Sequence, residues 1–357
     1  MSTACGPDAE AVTRGLGFDC HDVAPVVSVR PPWALAHWTM PLLEVLIVGG
    51  AVFALVHALR RYRAGDPVNL ALWWASLVYL FVTEPPLYFP EWFGLDRLYG
   101  FIFAHNLFTV QFMADRLPLY IVAFYPVISQ LAYEVVRSLG LFRRGPLRGA
   151  VAVAFVLQVF YEVFDHVGPQ LKWWAWNPAN TLVNHPALAS VPLNSMLLFA
   201  SVSMAAMTYL VVRLTGGPPR RWLPLRILLA GVLTPPTMAI AGIPSSFAGE
   251  NLTARAWILG VELGLLWLAG IGIVVAHLRS GEPREPLTAF ARYYPALYLG
   301  GMAVCWLAAL PGYLAARDGV TADGTPIGSG PYALACFAGS GLLLVALYRR
   351  DRAPVPG

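Results

Sequence analysis

The chain has 357 residues, of which 57% are hydrophobic and only 12% are charged, and its mean hydropathy is +0.60. Because a soluble domain carries about a quarter charged residues, this composition excludes a soluble protein and indicates an integral membrane protein. The net charge is +4, but the placement of the basic residues accounts for it, so no nucleic-acid partner is implied.

Nine apolar stretches are long enough to cross a bilayer, which takes roughly 20 residues per helical span. The sequence therefore predicts an all-α fold, a polytopic bundle of about nine transmembrane helices. A further segment, 98–113, is apolar without being a clean span, and we interpret it as re-entrant or interfacial. The predicted spans are 39–59, 68–84, 117–136, 148–166, 192–213, 224–245, 256–278, 294–315 and 331–348.

The spans divide the chain into an extracytoplasmic N-terminal segment, a membrane bundle that bears an acidic site, additional C-terminal transmembrane helices and a disordered tail. The N-terminal segment is polar and lacks the basic start and apolar run of a signal peptide, so the first span is expected to remain as an anchor. Cys5 and Cys20 lie in this segment and can pair if it is exported. The four parts are 1–37, 38–245, 246–349 and 350–357.

The arginine clusters give an independent test of this count, because short cytoplasmic loops collect basic residues. They follow the first, third, fifth, seventh and ninth spans, hold 17 of the 24 basic residues, and therefore all fall on one side. The predicted topology in the cell membrane has the N-terminus outside and the C-terminus in the cytoplasm. The clusters are Arg60, Arg61 and Arg63; Arg137, Arg143, Arg144 and Arg148; Arg213, Arg220, Arg221 and Arg226; Arg279, Arg284 and Arg292; and Arg349, Arg350 and Arg352.

The fourth span ends with two carboxylates, Glu162 and Asp165. Ionisable groups at bilayer depth are rare, usually face the bundle interior or a wet cavity, and indicate function. A spacing of three residues puts both on neighbouring positions of one helical face, so they can share a pocket with Tyr161 and His166. The alternative interpretation is that the helix simply ends in water at this point, and that the tryptophans that follow form an interfacial belt.

The loop after the second span is rich in proline, aromatic and acidic residues, running from Glu84 through Tyr88 and Trp92. Prolines fix its irregular backbone, which survives near the membrane only when it is buried in protein or lines a wet cavity. We therefore expect this loop to cap the bundle beside the Glu162 and Asp165 helix. The loop continues through Asn106 to the third span.

The two acidic regions show a weak internal repeat. Glu84 ends a span and is followed by an aromatic loop and then by 117–119, just as Asp165 is followed by an aromatic loop and then by 191–194. Two similar halves would present their carboxylates to one another, as repeat-built membrane proteins place sites at repeat interfaces. Chance is the alternative, because proline and leucine are common where spans begin.

Other ionisable groups have simpler interpretations. Glu262 in the seventh span either makes a structural hydrogen bond, lies at the lipid interface or has a functional role. His277 is interpreted as an interfacial residue. The four cysteines form neither a CxxC pair nor a His/Cys cluster at metal-ligand spacing, so no metal site is predicted. Because the chain has no Gly-rich nucleotide loop, no Cys-x-x-Cys-His and no His-rich helix, no cofactor is predicted.

The region from about 38 to 240 resembles two related groups of membrane enzymes, the AveC-like spirocyclase family and the CruF-type carotenoid hydratases. The resemblance rests on Trp38 and Glu44 in the first span, the acidic end of the second span, the acidic pair of the fourth span, the Trp-Ala-Trp run and 191–195, which reads Val-Pro-Leu-Asn-Ser. This chain departs from the families in spacing the acidic pair by three rather than four. It also has Asp-His at 165–166 where they have Asp-Pro.

The resemblance implies acid chemistry on a hydrophobic substrate drawn from the bilayer, in which an alkene, enol ether or hydroxyl is protonated and the cation is captured by water or an internal hydroxyl. A carboxyl group in a low-dielectric pocket suits this role because its charged form is poorly solvated and its pKa rises. We predict Asp165 as the acid, Glu162 or Glu84 as partner base or orienter, and His166 and Tyr161 as hydrogen-bond supports. The predicted substrate-binding residues are Tyr88, Trp92, Asn106, Trp173, Trp174, Trp176 and Asn194.

Two other functions remain open at this point. A proton- or cation-coupled transporter or channel would also use membrane carboxylates, although here they collect at one membrane face. A non-catalytic protein that binds membrane lipid would use the carboxylates only to orient loops, and the aromatic residues would then form an interfacial girdle.

Overall fold

The computed structural model describes residues 5–216, 220–281 and 285–349; the predicted tail 350–357 lies outside this part. Within it, nine helices are long and apolar enough to cross a membrane, so the predicted all-α, nine-span bundle is confirmed and the chain is a multi-pass membrane protein. A short helix, α1 (Pro7–Leu16), comes first. The spanning helices are α2 (Thr39–Arg63), α3 (Val68–Tyr88), α4 (Leu119–Ser138), α5 (Pro146–Asp165), α6 (Ser195–Thr215), α7 (Leu223–Ala241), α8 (Leu252–Ser280), α9 (Ala289–Ala315) and α10 (Gly330–Tyr348).

Polar caps fix where several spanning helices begin. The side chains of Asn251, Thr288 and Ser329 each accept a hydrogen bond from a backbone N–H in the first turn of α8, α9 and α10, which satisfies a donor that the helix leaves free. Pro146 stands in the first turn of α5, where its missing N–H costs nothing. Because these residues precede the apolar runs, the helices begin before the predicted spans.

Helices α4 and α5 form the centre of the bundle. In their most apolar windows 89% and 78% of the residues are buried, whereas in α7 to α10 the share is between 22% and 28%. The other helices therefore surround α4 and α5, and the outer faces of α7 to α10 are left for lipid. A polar group on α4 or α5 must consequently find its partners inside the protein.

Short strands occupy the loops at one end of the bundle. The segment 98–113 contains two of them and no spanning helix. They form three small antiparallel sheets, in which β1 pairs with β3, β3 with β4, β2 with β5, and β6 with β7. The strands are β1 (Val27–Val29), β2 (Phe103–His105), β3 (Val110–Phe112), β4 (Leu117–Pro118), β5 (Trp174–Trp176), β6 (Ala187–Leu188) and β7 (Val191–Pro192).

The two acidic regions have the same order of elements. From α3 to α4 and again from α5 to α6, a helix is followed by a strand, a hairpin ending in a proline, and a second helix. Strands β2 and β5 pair about their centres, with Ala104 opposite Ala175, while α3 packs on α6 and α4 packs on α5. This arrangement brings the ends of α3 and α5, and with them Glu84 and Asp165, to the same place.

The N-terminal segment lies over these loops. A disulfide joins Cys5 to Cys20 within the segment, as the sequence allowed, and three contacts fasten the segment to the loops. Strand β1 adds to the edge of the β3–β4 hairpin, and α1 packs on β2 and β5. Arg30 Nη2 lies 2.7 Å from the buried Asp115 Oδ2 in the turn of that hairpin. The segment therefore forms part of the folded unit.

The opposite end of the bundle is held together by a buried ionic network that sequence reasoning missed. Glu134 of α4 has no exposed surface. Its carboxylate accepts hydrogen bonds from Asn69 (2.8 Å), Arg137 (2.8 and 3.0 Å) and Thr288 (2.9 Å), and His57 Nε2 lies 3.3 Å away. These partners come from α2, α3, α4 and the cap of α9, so the network ties four helices together.

Replacing Glu134 by alanine is expected to lower the free energy of unfolding by about 3 to 5 kcal/mol, because Arg137 would lose its buried charge partner and keep only the more exposed Glu285. Thermal unfolding of the purified protein in detergent measures the change. Arg143→Ala is the control, because its exposed side chain should alter the stability by less than about 0.5 kcal/mol. Equal unfolding temperatures for the two variants would contradict a structural role for the network.

Candidate active site

Glu84 and Asp165 line one cavity of about 100 Å³ near the ends of α3 and α5; we call it the acidic chamber. Its walls come from α3, α4, α5, α6 and the β2–β5 sheet. Most of its lining residues are aromatic or aliphatic, and the six others have polar or charged side chains. The polar or partly polar lining residues are Glu84, His105, Tyr125, Tyr161, Asp165, Trp174, Trp176, Asn184, Asn194 and Ser195.

The Glu84 carboxyl group is held by tyrosine side chains. It lies one turn before the end of α3, is 6% exposed, and its Oε1 accepts a hydrogen bond from the Tyr125 hydroxyl of α4. The Tyr88 hydroxyl also interacts with this carboxyl group. No described residue reaches Oε2 with full hydrogen-bond geometry, and buried polar atoms in folded proteins nearly always have a partner, so this oxygen can bind water or a ligand.

Asp165 is the last residue of α5 and reaches the same chamber from the other side. It is 3% exposed, and its Oδ2 accepts a hydrogen bond from Ser195 Oγ at 3.2 Å. Ser195 opens α6, whose first nine residues form a π-helix. A π-helix has more than four residues per turn, so Ser195 and Phe199 both reach the chamber; such segments are frequent at functional sites.

Aromatic side chains form the rest of the chamber wall. Phe164 packs between Phe124, at 4.7 Å between ring centroids, and Trp174, at 4.9 Å. Gly168 permits this packing, because a Cβ there would lie 2.0 Å from the Trp174 ring. The Nε1 atoms of Trp174 and Trp176 are buried without a hydrogen-bond partner in the described part of the chain, so the wall offers two free donors as well as aromatic faces.

The structure separates the four side chains that were expected to share a pocket. Tyr161 and Asp165 line the acidic chamber, whereas Glu162 and His166 do not. Glu162 and His166 lie one turn apart on a different stripe of α5 and are turned toward the C-terminal helices, where the His166 ring lies 5.4 Å from that of Tyr332. A spacing of three residues on a helix leaves about 60° between side chains, enough to face different neighbours.

Glu162 and His166 form a buried pair behind the chamber. The Nδ1 of His166 accepts a hydrogen bond from the Ser329 backbone N–H at 3.1 Å, so a neutral ring carries its hydrogen on Nε2, which lies 3.4 Å from Glu162 Oε2. Burial lowers the pKa of His166 to about 3, because the charged ring is poorly solvated. His166 is therefore neutral, and neither its Nε2 nor the two Glu162 carboxyl oxygens have a hydrogen-bond partner among the described residues.

The predicted substrate-binding residues divide into those on the chamber wall and those elsewhere. Trp174, Trp176 and Asn194 line the chamber, and Asn194 also donates to Val183 O at 3.0 Å. Tyr88 lines a neighbouring cavity instead. Trp92 is 64% exposed.

Two of these predicted residues hold the loops together. Trp173 has no exposed surface, and its Nε1 donates to Thr39 Oγ1 at 3.0 Å. Asn106 donates through its side-chain amide to Leu16 O at 3.2 Å and to Lys172 O at 2.7 Å, and its Oδ1 accepts from the Leu107 N–H. Asn106 therefore joins the N-terminal segment to the two loops, and the structure gives it no place on the chamber wall.

The neighbouring cavity, which we call the vestibule, lies beneath the N-terminal segment and has a volume of about 270 Å³. Its lining is more polar than that of the chamber and includes Thr13, His21, Asp115 and Arg116. Burial raises the pKa of Asp115, but hydrogen bonds from Arg30 and Ser28 outweigh it and lower this pKa overall. Asp115 is therefore a stable anion at the hairpin turn.

Sequence reasoning missed four polar or partly polar residues of the chamber: His105, Tyr125, Asn184 and Ser195. Ser195 follows Asn194 directly in the Val-Pro-Leu-Asn-Ser run, so its position was itself a signal. His105 shares one side of β2 with the aromatic Phe103, and that alternation marks a lined surface. Nothing in the sequence around Tyr125 separates it from other aromatic residues of an apolar span.

One group of side chains has the composition of a metal site. Metal-ligating atoms of Cys5, Asp19, Cys20 and His21 lie within 4.8 Å of one another. Cys5 and Cys20 are joined by a disulfide, so they offer no thiolate, which is the form that binds a metal. Away from the chamber, Glu262 is half-buried on α8, and His277 Nε2 lies 2.6 Å from Leu139 O, which makes it a buried contact between helices.

Comparison of the chain with protein-family models, with curated proteins and with solved structures finds no match.

Proposed function

We propose that this protein is a membrane enzyme, working without a cofactor, that protonates a hydrophobic isoprenoid, carotenoid or polyketide substrate and so drives its cyclisation, hydration or dehydration. The observation that carries the proposal is the meeting of Glu84 and Asp165, from two different spans, in one aromatic chamber. Both carboxyl groups are nearly inaccessible to solvent. A carboxyl group kept from water favours its neutral, proton-bearing form, which Asp165 needs as the general acid. Glu84 needs its charged form to act as the base, and the hydrogen bond from the Tyr125 hydroxyl favours that form.

In the proposed reaction Asp165 is the acid and Glu84 is the partner base. The Asp165 proton forms a bond with one carbon of a substrate double bond, whose π electrons leave a cation on the neighbouring carbon. Water or a hydroxyl of the substrate attacks the cation through oxygen, and the proton which that oxygen loses passes to Glu84. General acid catalysis of this kind contributes about two to four orders of magnitude.

The walls of the chamber suit a cationic intermediate. The faces of Tyr161, Trp174 and Trp176 border the same cavity as the two carboxyl groups. An aromatic face stabilises a nearby cation by roughly 0.5 to 2 kcal/mol. The AveC-like and CruF-type resemblance is consistent with this proposal, and it supplies the candidate substrate classes.

The size of the chamber limits how much of a substrate can enter. At about 100 Å³ it is smaller than the cavity of about 150 Å³ that accepts one benzene molecule. We infer that one end group of a long apolar molecule reacts there while the rest of the molecule lies among membrane lipids. The partner of this site is thus a hydrophobic small molecule from the bilayer.

The transporter alternative is less well supported. The second set of buried charges, around Glu134, lies at the other end of α4, but each Glu134 oxygen already has close donors from several helices. Such a closed network suits a structural connection between helices. An ion pathway needs groups that are free to bind and release an ion in turn.

The proposed reaction can be tested by incubating membranes that contain the protein with a total lipid extract in H2O and in D2O. Cyclisation or hydration should yield a lipid product that carries one carbon-bound deuterium after D2O and keeps it when it is returned to H2O. Dehydration should yield a product lighter by one water. Finding no lipid that differs between wild-type membranes and Asp165→Asn membranes would contradict the proposal and would make proton flux in vesicles the next measurement.

We also propose that the protein lies in the cell membrane with its N-terminus outside, because the arginine clusters mark the opposite ends of the spans as cytoplasmic. The disulfide of the N-terminal segment supports this orientation, since disulfides persist in oxidising compartments. After treatment of intact cells with a membrane-impermeant reductant, Cys5 and Cys20 should react with an impermeant maleimide. The buried Cys305 and Cys336 are internal controls, and labelling only after cell lysis would contradict the orientation.

A further inference from the structure

The acidic chamber and the vestibule share part of one wall. Phe103 and His105, both on β2, line both cavities. His105 is 7% exposed, and its Nδ1 lies 3.1 Å from the Tyr120 hydroxyl. The imidazole ring therefore stands between a polar cavity under the N-terminal segment and the aromatic cavity that holds the two carboxyl groups.

Two polar side chains of α3 connect the two cavities. Tyr88 lines the vestibule and Glu84 lines the chamber; they lie one turn apart, and the Tyr88 hydroxyl interacts with the Glu84 carboxyl group. The Tyr88 ring is also 5.9 Å from that of His105. Neither the Tyr88 hydroxyl nor Glu84 Oε2 has a partner at full hydrogen-bond geometry among the residues described, and ordered water ordinarily satisfies such buried groups, so water is the expected occupant between the cavities.

The neutral imidazole is well suited to such a position. Burial lowers the pKa of His105 to about 3, so the ring carries one N–H and one lone pair at physiological pH. It can thus accept a hydrogen bond on one side and donate on the other without introducing a buried charge.

We propose that the vestibule is the inlet through which water and protons reach the acidic chamber, and that His105 is the residue that controls passage between the two cavities. The vestibule is large enough, at about 270 Å³, for several water molecules. Its roof is fixed by the Cys5–Cys20 disulfide and the Arg30–Asp115 ion pair. That this water takes part in a reaction rests on the proposed function. The connection between the vestibule and the chamber does not depend on that function.

The passage can be measured without a substrate. Ser195→Cys places a thiol on the chamber wall, and a small water-soluble methanethiosulfonate is then applied to the full-length protein in lipid nanodiscs. In this background His105→Ala should label severalfold faster than the parent, His105→Phe severalfold more slowly, and His105→Gln at about the parent's rate. Trp257→Ala, an exposed position outside both cavities, is the matched control and should leave the rate unchanged.

Two results would overturn the inlet: equal labelling rates across the His105 variants, or no labelling even in His105→Ala. Unfolding temperatures of each variant confirm that a changed rate does not come from a loosened fold. Because labelling needs no turnover, a protein that labels as expected but makes no product would refute the enzyme proposal and leave the inlet standing. If the wild-type protein incorporates deuterium into its product as expected but the His105 variants all label at the same rate, the inlet would be refuted and the enzyme proposal would stand.

Discussion

Asp165→Asn is expected to reduce product formation by about two to four orders of magnitude, because the asparagine amide cannot give a proton to carbon. The change should leave the fold intact. Asparagine has nearly the same shape as aspartate, and its side-chain oxygen can still accept the hydrogen bond that Ser195 donates to Asp165. Product is measured in lipid extracts of equal amounts of membrane-inserted protein.

Glu262→Gln is the matched control for this experiment. It also removes a carboxyl group from a spanning helix, but Glu262 lies on α8 and does not line the chamber. Product formation at the wild-type level in Glu262→Gln, together with its loss in Asp165→Asn, would assign the effect to the chamber. An Asp165→Asn protein that still forms product would remove Asp165 from its proposed role as the acid.

The spanning helices were predictable because each depends on a local property of the chain. A long apolar run specifies a spanning helix without help from distant residues, since lipid allows the backbone few alternatives, and the arginine clusters after alternate runs confirm the count. The errors fell at helix ends, where the caps Asn251 and Thr288 extend α8 and α9 beyond their apolar runs.

The loops were harder to predict because their structure depends on contacts between distant residues. Strand β2 has three residues and pairs with β5, which lies about 70 residues later. No local pattern in 98–113 predicts that pairing, so the segment was interpreted as re-entrant or interfacial. The same pairing brings His105 to the chamber.

The candidate site was predictable in its carboxyl groups but not in its polar partners. Glu84 and Asp165 stood out because acidic groups are rare in apolar spans. Helical spacing alone did not separate Asp165 from Glu162, because neighbours three residues apart face the same side unless surrounding helices divide them. Here the C-terminal helices do so, and Tyr332 beside His166 could not be inferred from α5 itself.

Glu84→Gln should also reduce product strongly, by about two orders of magnitude, because glutamine cannot take the proton released when oxygen captures the cation. The hydrogen bond from Tyr125 can persist, since the glutamine side-chain oxygen is still an acceptor. Tyr125→Phe separates orientation from chemistry. It removes only that hydrogen bond, worth about 0.5 to 1.5 kcal/mol, so its loss should stay near tenfold.

The double variant Asp165→Asn/Glu84→Gln gives the sharpest reading of whether the two carboxyl groups act together. Groups that serve one reaction as a unit show strongly non-additive losses, because removing either one already disables the step that both share. The double variant should therefore be about as impaired as Asp165→Asn alone. Losses that multiply would mean that Glu84 and Asp165 contribute independently. The shared chamber would then bring together two separate functions, and the acid and base pairing proposed for them would be wrong.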